Sequence, residues 1–218
     1  MEFREKYRQE LETLKNNIQK MVELAIAQLY RGLEAAETGD SALAKEVIAA
    51  DRELDNFQTS IDDYCVKLIA TEQPVAGDLR EIVSSIKIVS SIARIGDHAK
   101  HLAKGSRKIS NIGQEQFLPI IREMALKGIH MLKIAIKAFV HQDISLAGTA
   151  AALDNEIDDL KKILSKKIID FMKVSPANIE EGASLLFLTR FMERLGDHVT
   201  NLCEWVHFAE VGEHIDLN

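Results

Sequence analysis

The chain has 218 residues, 46% hydrophobic and 28% charged, with 27 basic against 34 acidic side chains and a formal net charge of −7. That composition is ordinary for a globular protein, and each half is long enough to bury a core of its own. The acidic balance argues against a nucleic-acid binder, which carries a basic face. Scarce Gly and Pro, with 6% aromatic residues, suit helices better than a β-sandwich.

The first predicted helix covers about residues 2–37, with Leu11, Leu14, Ile18, Met21, Val22, Ala25 and Leu29 at helical spacing. Arg4, Glu5, Lys6 and Arg8 in its opening turns exclude a secretory apolar segment there. Gly39 ends the helix and Asp40 caps the next. That second helix spans about 41–72 on the stripe Leu54, Phe57, Ile61, Tyr64 and Leu68, and Pro74 and Gly77 break it. A third helix starts at Asp78, which with Glu81 forms a capping box, and runs to about 109. Its most apolar stretch, Ile82 to Ile95, still holds Lys87, Arg94 and four serines. It therefore falls short of the roughly 18 unbroken apolar residues of a membrane span. The small basic cluster from Lys100 to Lys108 reads as a solvated helix end, with a local anion or partner patch as the other possibility.

Ser110 to Gly113 form the predicted linker. Three more helices follow near 115–141, 143–173 and 179–211, Asn178 and Glu181 repeating the capping box. Long helices joined by short turns imply antiparallel neighbours. The expected fold is all-α, two tandem pseudo-symmetric three-helix bundles, residues 1–110 and 114–218. Cys65 and Cys203 stand apart from any ligand motif and read as small buried hydrophobes of a reducing compartment, so the chain is expected to be cytoplasmic.

The halves repeat each other in charge as well as in pattern. Asp51 and Asp55 recur 103 positions later as Asp154 and Asp158, and Arg94-Ile95-Gly96-Asp97-His98 recurs 100 later as Arg194-Leu195-Gly196-Asp197-His198. On the sixth helix the stripe Leu188, Met192, Leu195, Val199, Leu202 and Val206 faces the core. Glu193 and Asp197 then lie roughly 130–170° from its centre, stacked one turn apart. Asp154 and Asp158 lie roughly 90–130° off the stripe of their own helix, and Asp51 and Asp55 repeat this. Like charges four residues apart cost a helix about 0.2–0.5 kcal/mol per pair, a cost that a cation between them removes. Oxygen-only clusters suit Mg, Ca, Mn or iron rather than structural zinc. A merely solvated acidic face accounts for the same residues. His98 and His198 are either added imidazole ligands or surface hydrogen-bonding residues. Gly96 and Gly196 read as points where two helices approach closely.

The segments Gln73-Pro74-Val75-Ala76-Gly77-Asp78-Leu79-Arg80, Arg94-Ile95-Gly96-Asp97-His98-Ala99 and Glu193-Arg194-Leu195-Gly196-Asp197-His198 with Asn201 resemble the PhoU family of phosphate-uptake regulators. The resemblance runs through essentially the whole chain. It implies a cytoplasmic, often dimeric regulator that restrains phosphate uptake and phosphate-starvation signalling, contacting the phosphate ABC transporter ATPase and a sensor histidine kinase. It also implies a multinuclear metal cluster, iron among the metals, on Asp51, Asp55, Asp97, Asp154, Asp158, Glu193 and Asp197. The family's acid four residues before Asp97 is replaced by Ala93, and Ser91 replaces another usual acid, so the first repeat is expected to be the weaker site. Two other readings compete with a non-catalytic metal-binding adaptor. One is a metal-free helical scaffold. The other is a di-metal ferritin-like or phosphohydrolase enzyme, for which the chain offers one E-x-x-H motif, Glu204 to His207.

Overall fold

A computed structural model of the chain describes residues 2–105 and 109–217. Among these residues there are helices and turns and no strand. The first bundle comprises α1 (Glu2–Thr38), α2 (Ser41–Glu72) and α3 (Gly77–Gly105). The second comprises α4 (Asn111–Gln116), α5 (Leu118–His141), α6 (Ile144–Ala152), α7 (Asp154–Val174) and α8 (Ile179–Val211). The apolar stripes set the packing: Leu14, Ile18, Met21 and Leu29 of α1, Leu54, Ile61 and Leu68 of α2, and Leu188, Met192, Leu195 and Val199 of α8 are all buried. The Asp40 carboxylate caps α2 by accepting from the amides of Ala42 and Leu43, and Asp143 caps α6 by accepting from Leu146.

Several local expectations fail, each for a physical reason. The predicted linker is instead mostly helix: Ser110 caps α4 by accepting from the Gly113 amide at 3.3 Å. Ile109 lies outside α3, and Ser106, Arg107 and Lys108, the end of the predicted basic cluster, lie outside the described residues. The predicted fifth helix is broken at Leu153 into α6 and α7. There the Asn155 side-chain amide donates to the Ala152 carbonyl at 3.2 Å, competing with the helix ladder, and Asp154 becomes the first residue of a new helix. Neither capping box forms. Glu81 is buried with its carboxylate 2.9 Å from the Lys15 ammonium. Glu181 accepts from both the amide and the hydroxyl of Ser110, while the Asn178 amide donates to Phe171. In both places a partner from another element displaces the local cap.

One hydrophobic cluster runs through both bundles. The most extensive helix contact in the molecule is between α3 and α8, the third helix of each bundle, and α1 also touches α5. So α3 and α8 are each buried on two sides, which explains why α3 hides Ser84, Ser85, Ser91 and His98 besides its aliphatic residues. Ser91 donates to the Asn201 side-chain carbonyl of α8 across this joint at 3.2 Å.

Close approach within the first bundle rests on Gly32, where a Cβ would lie 2.7 Å from the Ala99 carbonyl oxygen and 3.0 Å from the Ala99 Cα. These are backbone atoms of α3 and cannot swing aside. Gly32→Ala gains about 1 kcal/mol of helix propensity but suffers an overpacking cost of about 1–3 kcal/mol. It is expected to lower the urea midpoint with an unchanged m-value. Gly148→Ala, with nothing within 4 Å of the new methyl group, is expected to raise it by the propensity gain alone.

Candidate functional site

The second-repeat acids face one another across the seam between α7 and α8. Asp154 and Asp158 of α7, with Glu193 and Asp197 of α8, line a pocket of about 260 Å³ together with Ala151, Asn155 and Leu217. All four are half-buried rather than standing on open faces, because the two helices approach closely at Gly196. A Cβ on Gly196 would lie 1.9 Å from Asp154 Oδ1, so a larger residue would push that carboxylate away from the α8 backbone. The Thr200 hydroxyl donates weakly to the other Asp154 oxygen at 3.5 Å. Lys161 pairs with Glu193. Among the described residues no ion pair forms at Asp154, Asp158 or Asp197.

This excess of negative charge shows in the protonation of the site. Burial, then the charges of Asp197 and Asp158, pushes the Asp154 carboxyl up to about 6. Burial followed by the Glu193 and Asp158 charges also raises Asp197, against the pull of Lys161 and Arg194. An oxygen-only pocket with surplus negative charge has the donor chemistry of a hard cation site: Mg, Ca, Mn or iron. Among the described residues, no three His, Cys, Asp or Glu side chains are gathered as a bound ion requires. Like charges with no counter-ion between them repel, so the carboxylates line the pocket without converging. The residues fit a cation in chemistry and position, and would have to draw together around it.

The first seam, between α2 and α3, is built differently. The Lys100 ammonium pairs with Asp51 and, at 3.0 Å, with Asp97. Arg94 approaches the second Asp97 oxygen at 3.7 Å. Burial works to raise the Asp97 carboxyl, but Lys100, with Asp51 and Arg94, outweighs it and holds it below the usual range. Asp55 is exposed. Gly96 does provide a close approach, against Leu54 Cδ2 at 2.0 Å from its would-be Cβ. Lys100, read from sequence as part of a solvated helix end, is thus a partly buried ion-pair partner. A lysine three residues after Asp97 on the same helix face was the available signal.

His98 is not a surface hydrogen-bonding group, and His198 is half-buried against it. The His98 ring is buried, stacks on His198 at 5.7 Å between centroids, and neither of its nitrogens has a hydrogen-bond partner. Burial, then the neighbouring His198 and His101, pushes it down to about 3. Both rings lie at the α3–α8 joint, one residue round the helix from the acids. The E-x-x-H motif is occupied otherwise: Glu204 accepts from the amides of Asn201 and Leu217, and His207 contacts the Glu213 carbonyl. Cys65 and Cys203 are buried free thiols, both pushed up to about 12 by burial.

The seam chemistry has a pH signature. With metal chelated, native Asp154 keeps its proton up to about pH 6, while the unfolded chain releases it near ~3.9. The native state then binds more protons between these values, so this group adds stability as pH falls from about 6 toward 4. His98 acts oppositely: its ring stays neutral in the native state down to about 3, and its contribution is lost as pH falls below the unfolded value of 6.5. Comparison with Asp154→Asn isolates the first effect. In chelator, the unfolding free energy of wild type relative to Asp154→Asn is expected to rise between pH 7 and pH 5; a difference independent of pH would refute the assignment.

A family model of the PhoU domain matches residues 18–105 and 121–206. The phosphate-specific transport system accessory protein PhoU homolog of Borreliella burgdorferi is 36% identical over 99% of this chain and 99% of its own length. Its Clostridium acetobutylicum counterpart is 31% identical over 97% of each chain. The crystal structure of PhoU from Pseudomonas aeruginosa superposes with a TM-score of 0.85 at 28% identity, covering 95% of this chain and 100% of that one. That of the phosphate transport system regulatory protein PhoU from Streptococcus pneumoniae gives 0.87 at 28% identity, covering 96% and 99%. Matched at both of its repeats and aligned from end to end with relatives above 30% identity, the chain belongs to the PhoU family.

Proposed function

We propose that this chain is a cytoplasmic negative regulator of phosphate uptake and of phosphate-starvation signalling. It acts by contact rather than by turnover, as a homodimeric adaptor toward the ATPase of a phosphate ABC transporter and its sensor histidine kinase. The observation that carries this reading is the end-to-end relation to accessory proteins of phosphate-specific transport systems. That no described helix is long and apolar enough to cross a membrane is compatible with it. Deleting the gene is expected to raise expression of phosphate-starvation genes in phosphate-rich medium. Unchanged expression would refute the regulatory role.

The adaptor carries a cation in the α7–α8 seam, held by Asp154, Asp158, Glu193 and Asp197, iron being one candidate. A cation there supplies the positive charge that the seam lacks and ties α7 to α8. Supporting this are the surplus of carboxylates and the raised Asp154 and Asp197 carboxyls. The first-repeat acids Asp51, Asp55 and Asp97 belong to a weaker or empty position, since Ala93 leaves them one ligand short. A second reading, a metal-free scaffold, draws on the unconverged geometry of the acids. Elemental analysis with calorimetric titration decides between them. Asp154→Ala/Asp197→Ala is expected to weaken cation binding by on the order of 100-fold, about 2.7 kcal/mol. Equal affinity in wild type and variant would leave the scaffold reading.

A further inference from the structure

We propose that Lys100 is the resident cation of the first repeat, its ammonium group standing where a metal ion stands in the second, so that each chain carries one cation site, in the α7–α8 seam. The claim about the second seam rests on the cation reading of the proposed function; the claim about Lys100 stands on the first seam alone.

The repeats superimpose in sequence closely enough to compare the seams position by position. Asp51, Asp55 and Asp97 correspond to Asp154, Asp158 and Asp197. Two further positions differ together. Glu193 and Lys161 form an ion pair in the second seam, and their counterparts in the first are Ala93 and Gln58. That pair is neutral as a unit, so its absence leaves the charge of the first seam unaltered. Three aspartates remain in each seam; Arg52, the counterpart of Asn155, is exposed, and the groups that bond to the aspartates differ. Lys100 stands in one, and Thr200, at the equivalent offset, in the other.

The geometry follows that difference. The Lys100 ammonium bridges Asp51 of α2 and Asp97 of α3, with side-chain exposures of 21%, 18% and 30%. At the same place between α7 and α8, the buried Thr200 offers a neutral hydroxyl 3.5 Å from Asp154. A hydroxyl can join oxygen ligands around an ion but cannot replace the ion's charge. An ammonium group tethered to α3 can. A metal entering the first seam would have to displace a charge already held by two carboxylates in a partly dehydrated site.

The test uses the full chain with the second seam silenced by Asp154→Asn/Asp197→Asn, and manganese(II) as the probe. Wild type is expected to bind Mn2+ at its second repeat, the silenced protein to bind none, and Asp51→Asn/Asp97→Asn to bind as wild type does. Adding Lys100→Thr to the silenced protein is expected to open the first seam. Its Tm should then rise by roughly 5–10 °C at a Mn2+ concentration about 100 times the dissociation constant. The proposal is overturned if the silenced protein still binds Mn2+ and loses it on Asp51→Asn/Asp97→Asn, or if Lys100→Thr and the alternative Lys100→Met both give no Mn2+ response. Absence of Mn2+ binding in wild type would instead sink the cation reading of the second seam. Lys100 is then judged without metal by a double-mutant cycle on Tm. Asp51→Asn restoring part of the stability lost in Lys100→Met supports a resident cation, and strictly additive losses overturn it.

Discussion

The seam between α7 and α8 depends on one constraint: carboxylates held around one half-dehydrated pocket by helices packed together at Gly196. Gly196 brings the α8 backbone against the Asp154 carboxylate, and the buried stripe of α8 fixes the distance from the other side. Removing water from the acids strengthens their mutual repulsion. A proton on Asp154, or a cation among the four acids, relieves it. The packing of the second bundle and the chemistry of its pocket are therefore one problem, because the residues that set the first also determine the charge density of the second.

The sequence carried the regular features of this arrangement well. The all-helical class, the core stripes, the cap at Asp40 and the close approaches at Gly96 and Gly196 all follow from local pattern, and the structure contains them. The misses share a cause. Glu81 and Glu181 look like capping residues until Lys15 and Ser110 arrive from other elements. His98 looks exposed on an amphipathic helix until α8 covers that face. Periodicity describes one helix against one core, whereas α3 packs against α1, α2 and α8, and α8 against α3, α5, α6 and α7. The break at Leu153 was hidden for another reason: it turns on one Asn155 amide, a contact that composition does not announce.

The joint between the repeats is built from the same short segments as the seams. Asp97 and His98 are consecutive, so one step of about 100° takes the chain from the first acid seam to the α3–α8 contact. The second repeat does the same at Asp197 and His198. The stacked imidazoles bring the two segments together at 5.7 Å, with Phe191 packed beside them. Each acid is therefore followed in the chain by a ring that packs against the opposite repeat.

A neutral ring at the joint suits that role. With both nitrogens of His98 buried and unpartnered, a charged imidazolium would be left without a hydrogen bond. Burial keeps the ring uncharged, and arginines at the rim oppose protonation further, Arg194 acting on His98, and Arg194 followed by Arg94 on His198. Charge is thus excluded from the joint and concentrated in the seams one residue away. The fold separates the two by helix rotation alone, and it does so twice, with the tethered ammonium of Lys100 on one side and an open acidic pocket on the other.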